Sequence, residues 1–131
     1  MSELRDRIKE IIDTEPVVLF MKGTPEFIAC GNSARALEAL RGVGAPITAV
    51  DILPDPEIRE RLSEISGWPT IPQVFIGGEL LGGADITVEL YERGELPAKL
   101  FEHLGHGWQA PGSERVIELA GEDAGPFRIV G

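Results

Sequence analysis

Apolar residues recur at Leu4, Ile8, Ile11 and Ile12, the spacing that lays a single stripe along a helix. Ser2 precedes the stripe as a candidate N-cap and Pro16 follows it, so the pattern predicts a helix over residues 2–13. Residues 17–21, Val-Val-Leu-Phe-Met, break the period with a continuous apolar run between polar or breaker residues, which reads as a buried strand of the kind found in parallel sheets. Helical spacing returns over residues 31–40 and stops near Gly42 and Gly44, and residues 47–52 form a second strand. Asp55-Pro56-Glu57 opens another helix, with proline in its first turn, that runs to about Ser66 and turns Ile58, Leu62 and Ile65 inward. Strands over 73–76 and 79–82 flank Gly77-Gly78, a tight hairpin signal. A further helix starts at Gly83-Ala84-Asp85, with Ile86, Val88, Leu90 and Tyr91 as its apolar positions, and closes at Gly94.

The resulting order, α-β-α-β-α-β-β-α, predicts an α/β domain: a small mixed sheet with helices on both faces. From about Glu102 the pattern changes. Residues 103–112 are rich in Gly and Pro and read as a linker. Residues 113–122 fit a short helix capped by Ser113, with Val116, Ile117 and Ala120 inward; Val116 to Leu119 fits equally well as a strand pairing with residues 127–130. The chain therefore divides into a domain over 1–101 and a C-terminal extension over 102–131 that is too short to fold alone.

Composition narrows the partners. With 131 residues, 43% of them hydrophobic, the chain can bury one ordinary core. Its formal charge of −10, from 22 acidic and 12 basic residues, disfavours nucleic acid and anionic membrane surfaces, and any small anion must be held by local cations against the overall field. No apolar run approaches the length of a membrane span, and the charged N-terminus lacks the apolar centre of a secretory signal. With a single cysteine, these features imply a reducing, cytoplasmic setting.

That cysteine carries the candidate chemistry. Cys30 follows a Gly/Pro-containing loop, residues 22–29, and stands directly before a helix. There the free backbone N–H groups and the helix dipole stabilise a thiolate, the form that attacks sulfur and binds metal. One cysteine cannot close an intramolecular disulfide, so any thiol chemistry needs a second sulfur from another molecule.

A thiol at a helix start after a buried strand, followed later by an Ile-Pro step before a hairpin, resembles the thioredoxin fold. The chain is more narrowly similar to monothiol glutaredoxins of the Cys-Gly-Phe-Ser type. The stretches that carry the resemblance are 21–27 (Met-Lys-Gly-Thr-Pro-Glu-Phe), Cys30-Gly31, Ser33-Ala34, 55–59 (Asp-Pro-Glu-Ile-Arg), 68–73 (Trp-Pro-Thr-Ile-Pro-Gln) and Gly82-Gly83 with Asp85, in the family's order over residues 4–101. The resemblance implies a four-stranded mixed sheet flanked by helices and a glutathione site. Lys22 and Arg59 would receive the glycine carboxylate, Arg with a fork geometry. Thr70, Ile71 and a cis Pro72 would present backbone to the cysteinyl unit, and the helix start at Gly83, Ala84 and Asp85 would hold the γ-glutamyl end. Cys30 would lie beside the glutathione sulfur as the catalytic thiol and the metal ligand. The family also implies a labile [2Fe–2S] cluster bridged between two subunits, each giving one thiolate and one glutathione, and handed on to iron–sulfur partner proteins.

The chain departs from the family at three places. Asn32 replaces the signature aromatic, Ile28-Ala29 replaces Pro-Gln, and Ala84 stands where a second cysteine is usual. Asn32 predicts a less shielded cluster. Competing readings are a glutathione-dependent oxidoreductase that removes glutathione from mixed disulfides through Cys30, and a glutathione-binding module without turnover. Among single residues, Asp85 fits an N-cap as well as a ligand, Trp68 and Tyr91 read as packing, and His103 and His106 read as solvated.

Overall fold

The computed structural model describes residues 2–119 and the backbone of 128–130. The elements in chain order are α1 (Glu3–Thr14), β1 (Val17–Met21), α2 (Gly31–Gly42), β2 (Ile47–Asp51), α3 (Pro56–Ser66), β3 (Gln73–Ile76), β4 (Glu79–Gly82), α4 (Ala84–Glu92), α5 (Leu96–Leu104), β5 (Arg115–Glu118) and β6 (Arg128–Val130). One sheet runs in the order β4-β3-β1-β2-β5-β6. β1 pairs parallel with β2 and antiparallel with β3, so it is the centre of a mixed sheet.

The unbroken apolar run of β1 follows from this position. Side chains alternate faces along a strand. Val17, Leu19 and Met21 point into a core shared with α2, α4 and α5, while Val18 and Phe20 enter a second core against α1 and α3. Both faces are covered, and all five residues are buried. Phe20 meets Phe75 edge-on, with ring centroids 5.7 Å apart. Helix signals hold as read: Ser2 accepts the Arg5 N–H as N-cap of α1, and Asp55 accepts the Glu57 N–H ahead of Pro56 in α3.

The structure departs from the sequence expectation in several features, the added helix α5 among them. The sheet has six strands rather than four, because the extension joins the free edge of β2: β5 pairs parallel with β2, and β6 antiparallel with β5. Of the two readings of residues 113–122, the strand is the one adopted. Its side chains alternate, Val116 to the α2 face and Ile117 to the α1 face, which a helix could not do. Ala120 to Glu122 and Phe127 lie outside the described residues. Residues 103–112 are partly structured, with His103 and Leu104 ending α5. Trp108 packs on the core, Ala110 donates to the Gly44 carbonyl at 2.8 Å, and Gln109 donates to the Val43 carbonyl at 2.9 Å.

α5 itself follows Gly94 with Pro97 in its first turn and turns Leu96 and Leu100 into the core. On α4 the buried positions are Ala84, Thr87 and Leu90, leaving Ile86 and Tyr91 exposed. Thr87 lies inward because its hydroxyl donates to the Gly83 carbonyl at 2.8 Å. Tyr91 lies across Gly42, where an added Cβ would come within 2.6 Å of its ring. No helix among the described residues is long and apolar enough to cross a membrane.

Candidate functional site

The loop from Lys22 to Ala29 folds back on itself. Ala29 donates to the Lys22 carbonyl at 2.9 Å, and Thr24 and Phe27 exchange backbone hydrogen bonds at 3.0 and 3.2 Å. Gly23 makes the closure possible: its φ is +91°, and a Cβ there would collide with the Phe27 carbonyl. The Gly23 N–H is anchored at 2.9 Å on Asp51 at the end of β2. The loop thus hangs from the carboxyl ends of the two central parallel strands and delivers Cys30 to the start of α2, with Phe27 standing 78% exposed.

Cys30 is the N-cap residue of α2 and holds extended backbone. Its thiol pKa is lowered, chiefly by the Ser33 backbone N–H; burial opposes the shift, and the Asn32 N–H, the Ser33 hydroxyl and the nearby Lys22 charge add to it. Ser33 is fully buried and also accepts the Lys22 backbone N–H at 3.1 Å, so the strand end and the helix start are fixed together at the sulfur.

Beside the thiol lies a cleft of about 380 Å³, lined by Asn32, Trp68, the 70–72 segment and the start of α4 from Gly83 to Ile86. The Ile71-Pro72 peptide is cis. Gln73, fully buried at the start of β3, donates to the Trp68 carbonyl at 2.9 Å and the Thr70 carbonyl at 3.2 Å, which shapes this wall. Arg59, at the first turns of α3, donates to the Pro69 carbonyl at 3.1 Å.

Thr70, Ile71, Pro72, Gly83, Ala84 and Asp85 therefore share one cleft. Cys30, Lys22 and Arg59 do not line it: Cys30 precedes the lining helix start at Asn32, Lys22 acts on Cys30, and Arg59 is bonded to Pro69 next to Thr70. Lys22 and Arg59 stand apart electrostatically. Every other lysine and arginine side chain among the described residues is in an ion pair with a carboxylate; these two are not. In a chain of charge −10, two cations without a carboxylate partner, Lys22 near the thiol and Arg59 on the Pro69 carbonyl, leave positive charge available for an anion.

A family profile described as Glutaredoxin matches residues 17–81. Glutaredoxin 4 of Haemophilus ducreyi is 47% identical over 100 residues, covering 76% of this chain and 94% of the relative. The chain belongs to the glutaredoxin family. Among solved structures, reduced apo GrxS14 of poplar is similar with a TM-score of 0.68 and 42% identity, covering 77% of this chain and 93% of that one. A buckwheat glutaredoxin–glutathione complex is similar with a TM-score of 0.68 and 26% identity, covering 82% and 93% of the two chains. With its single cysteine, this glutaredoxin is of the monothiol type.

Several residues of the site differ from their sequence reading. Trp68 is not simply packing: it lines the cleft and is 40% exposed. Asp85 is not an N-cap, since Gly83 holds that position without a side-chain bond and the Asp85 carboxylate instead meets Arg35 at 3.1 Å. His103 pairs with Glu79 at 2.8 Å, and the His106 ring meets Phe101 edge-on. Arg35 was missed. Its signal was its place three residues after Asn32, which puts both side chains on one helix face.

Proposed function

We propose that this glutaredoxin binds glutathione along the cleft and carries a labile [2Fe–2S] cluster between two subunits, acting in cytoplasmic iron–sulfur cluster transfer and redox homeostasis. The observation that carries the proposal is the pairing of one thiolate-stabilising position at Cys30 with two cations that have no carboxylate partner, Lys22 and Arg59. In this reading the glycine carboxylate of glutathione meets those cations. Ile71 offers its backbone to the cysteinyl unit, and the γ-glutamyl end sits at Gly83, Ala84 and Asp85. The glutathione sulfur then lies beside Cys30.

The donor set fits a shared cluster. Cys30 is the one thiolate of the chain, and among the described residues no group of three or more His, Cys, Asp or Glu side chains could hold a metal. As the resemblance to monothiol glutaredoxins implies, a four-sulfur cluster would take its remaining ligands from a second subunit and two glutathiones. Half-borrowed ligands suit a cargo that is passed to iron–sulfur acceptor proteins.

Titration calorimetry with glutathione and anaerobic reconstitution with iron and sulfide test the proposal. The expected results are micromolar-to-millimolar glutathione binding and a glutathione-dependent visible chromophore that elutes as a dimer and is lost in Cys30→Ser. A chromophore that forms without glutathione, or survives Cys30→Ser, would sink it.

The lowered Cys30 pKa also supports a second reading, glutathione-dependent deglutathionylation. The thiolate attacks the glutathione sulfur of a protein mixed disulfide and releases the protein thiolate. A second glutathione thiolate then attacks the Cys30 adduct, giving glutathione disulfide and restoring Cys30. Turnover of a glutathionylated peptide, measured beside cluster loading, separates the two.

A further inference from the structure

We propose that Arg35 is a ligand-reading residue of the cleft. It forms with Asp85 a charge pair complementary to the zwitterionic end of a γ-glutamyl group, and Asn32 holds it in place. The inference rests on the glutathione reading above and assigns a role to a residue outside the expected ligand set.

Arg35 Nη1 donates to Asn32 Oδ1 and to Asp85 Oδ1, both at 3.1 Å. Asn32 and Asp85 both line the cleft, on its α2 and α4 sides; Arg35 does not line it but bridges these two lining residues from a neighbouring groove that it shares with Glu38 and Glu92. Both bonds use one nitrogen. A guanidinium has five N–H donors, so the rest remain available to an incoming acceptor. The Asp85 side chain is 96% exposed and commits one oxygen to Arg35. The first turn of α4 has no side-chain cap, so its N–H groups also face this end.

Asp85 alone would attract the α-ammonium of a γ-glutamyl group and repel its α-carboxylate. Adding Arg35 changes that balance. The pair presents one negative and one positive group a few ångströms apart, and the carboxylate finds Arg35 together with the α4 amides while the ammonium finds Asp85. Asn32 connects this arrangement to the sequence departure. An aromatic side chain at that position would offer Arg35 no carbonyl acceptor, and the guanidinium would lose one of its two anchors. The substitution that removes cluster shielding thus supplies an anchor for a cation.

The test is calorimetry of wild type, Arg35→Gln, Arg35→Lys and Asn32→Ala with three probes. These are glutathione, 4-aminobutanoyl-cysteinylglycine, which lacks the α-carboxylate, and glutaryl-cysteinylglycine, which lacks the α-ammonium. Wild type is expected to favour glutathione over the decarboxy probe by roughly threefold to tenfold, the range for a partly exposed charge-assisted contact. Arg35→Gln should cut that preference to what the α4 amides alone supply while keeping the preference over the deamino probe. Arg35→Lys should retain part of it, and Asn32→Ala should reduce it. The proposal is overturned if Arg35→Gln keeps the full preference, weakens all three probes equally, or binds glutathione more tightly because Arg35 had been competing for Asp85. Failure of wild type to bind glutathione at all overturns the glutathione reading itself and is distinct from these outcomes.

Discussion

The Lys22 backbone N–H donates to Ser33 Oγ at 3.1 Å, and the Ser33 hydroxyl in turn lowers the Cys30 thiol pKa. One buried side chain thereby closes the turn between β1 and α2 and tunes the thiol. Ser33→Ala leaves the Lys22 N–H without its partner, at a cost of about 1–3 kcal/mol. It also removes one of the donors that lower the pKa, while the larger contribution, the backbone N–H at position 33, survives. The expected result is a partial rise of the Cys30 pKa, read as an upward shift of the midpoint of iodoacetamide alkylation against pH. The sign extends to stability. A depressed thiol pKa adds stability as pH climbs from the folded value to the ordinary thiol value, and that gain is lost as pH falls through the folded value. The pH-dependent gain in thermal stability should be smaller in Ser33→Ala; an unchanged alkylation midpoint would count against the hydroxyl's role.

Lys22 and Arg59 lack carboxylate partners among the described residues, so truncating either removes positive charge without orphaning an acidic group. Lys22→Ala and Arg59→Ala are each expected to weaken glutathione binding by roughly fivefold to thirtyfold, equivalent to about 1–2 kcal/mol for a charge-assisted hydrogen bond. Folding stability should change by less than about 0.5 kcal/mol. Glutathione amidated at its glycine end lacks the anionic carboxylate, and its affinity should change much less in both variants. Equal losses for the two ligands would place these cations elsewhere than at that carboxylate.

The extension is part of the folded core. Ile117 is 1% exposed and packs in the cluster that holds Val18, Phe20 and Val50, while Arg41 grips Glu114 through two bonds at 2.6 and 2.7 Å. Ile117→Ala should therefore cost about 2–5 kcal/mol in denaturant unfolding. Hydrogen exchange should rise along β2 together with β5, since the two strands share a ladder. Destabilisation below 1 kcal/mol would mean that the extension docks without contributing to the core.

Much of this was legible in the chain, for local reasons. The stripe Leu4-Ile8-Ile11-Ile12, the caps Ser2 and Asp55 and the Gly77-Gly78 turn are short-range signals, and each names its element. The cleft residues were legible only through their resemblance to a family, because Trp68 to Pro72 and Gly83 to Asp85 are joined by the fold and not by spacing. α5 was overlooked although Leu96, Leu100 and Leu104 carry its period; Gly94 and the Gly/Pro-rich stretch beyond obscured it. The fifth and sixth strands were one of two open readings of the extension, and the family's count of four left them out, since the docking of β5 on the open edge of β2 is a long-range fact. Arg35 is the same kind of case: its sequence neighbour Asn32 is visible, but Asp85 lies 50 residues away.

Asn32 brings opposing demands to one position. It is exposed at the cleft, where an aromatic would shield a bound cluster from water, and its carbonyl oxygen accepts from Arg35 and so anchors the guanidinium. Asn32→Phe should therefore do two things. At saturating glutathione, the reconstituted cluster should bleach more slowly in air, read as the decay of visible absorbance, because the added ring covers the sulfur side. At limiting glutathione, affinity should fall by roughly twofold to fivefold, because Arg35 loses one of its two anchors and holds its position beside Asp85 less often. Arg35→Gln should lower affinity without slowing the bleaching, which distinguishes shielding from ligand reading. If Asn32→Phe leaves the decay rate unchanged while the cluster still forms, water access at position 32 is not what limits its lifetime. The ordinary aromatic would then owe its presence in the family signature to something other than shielding.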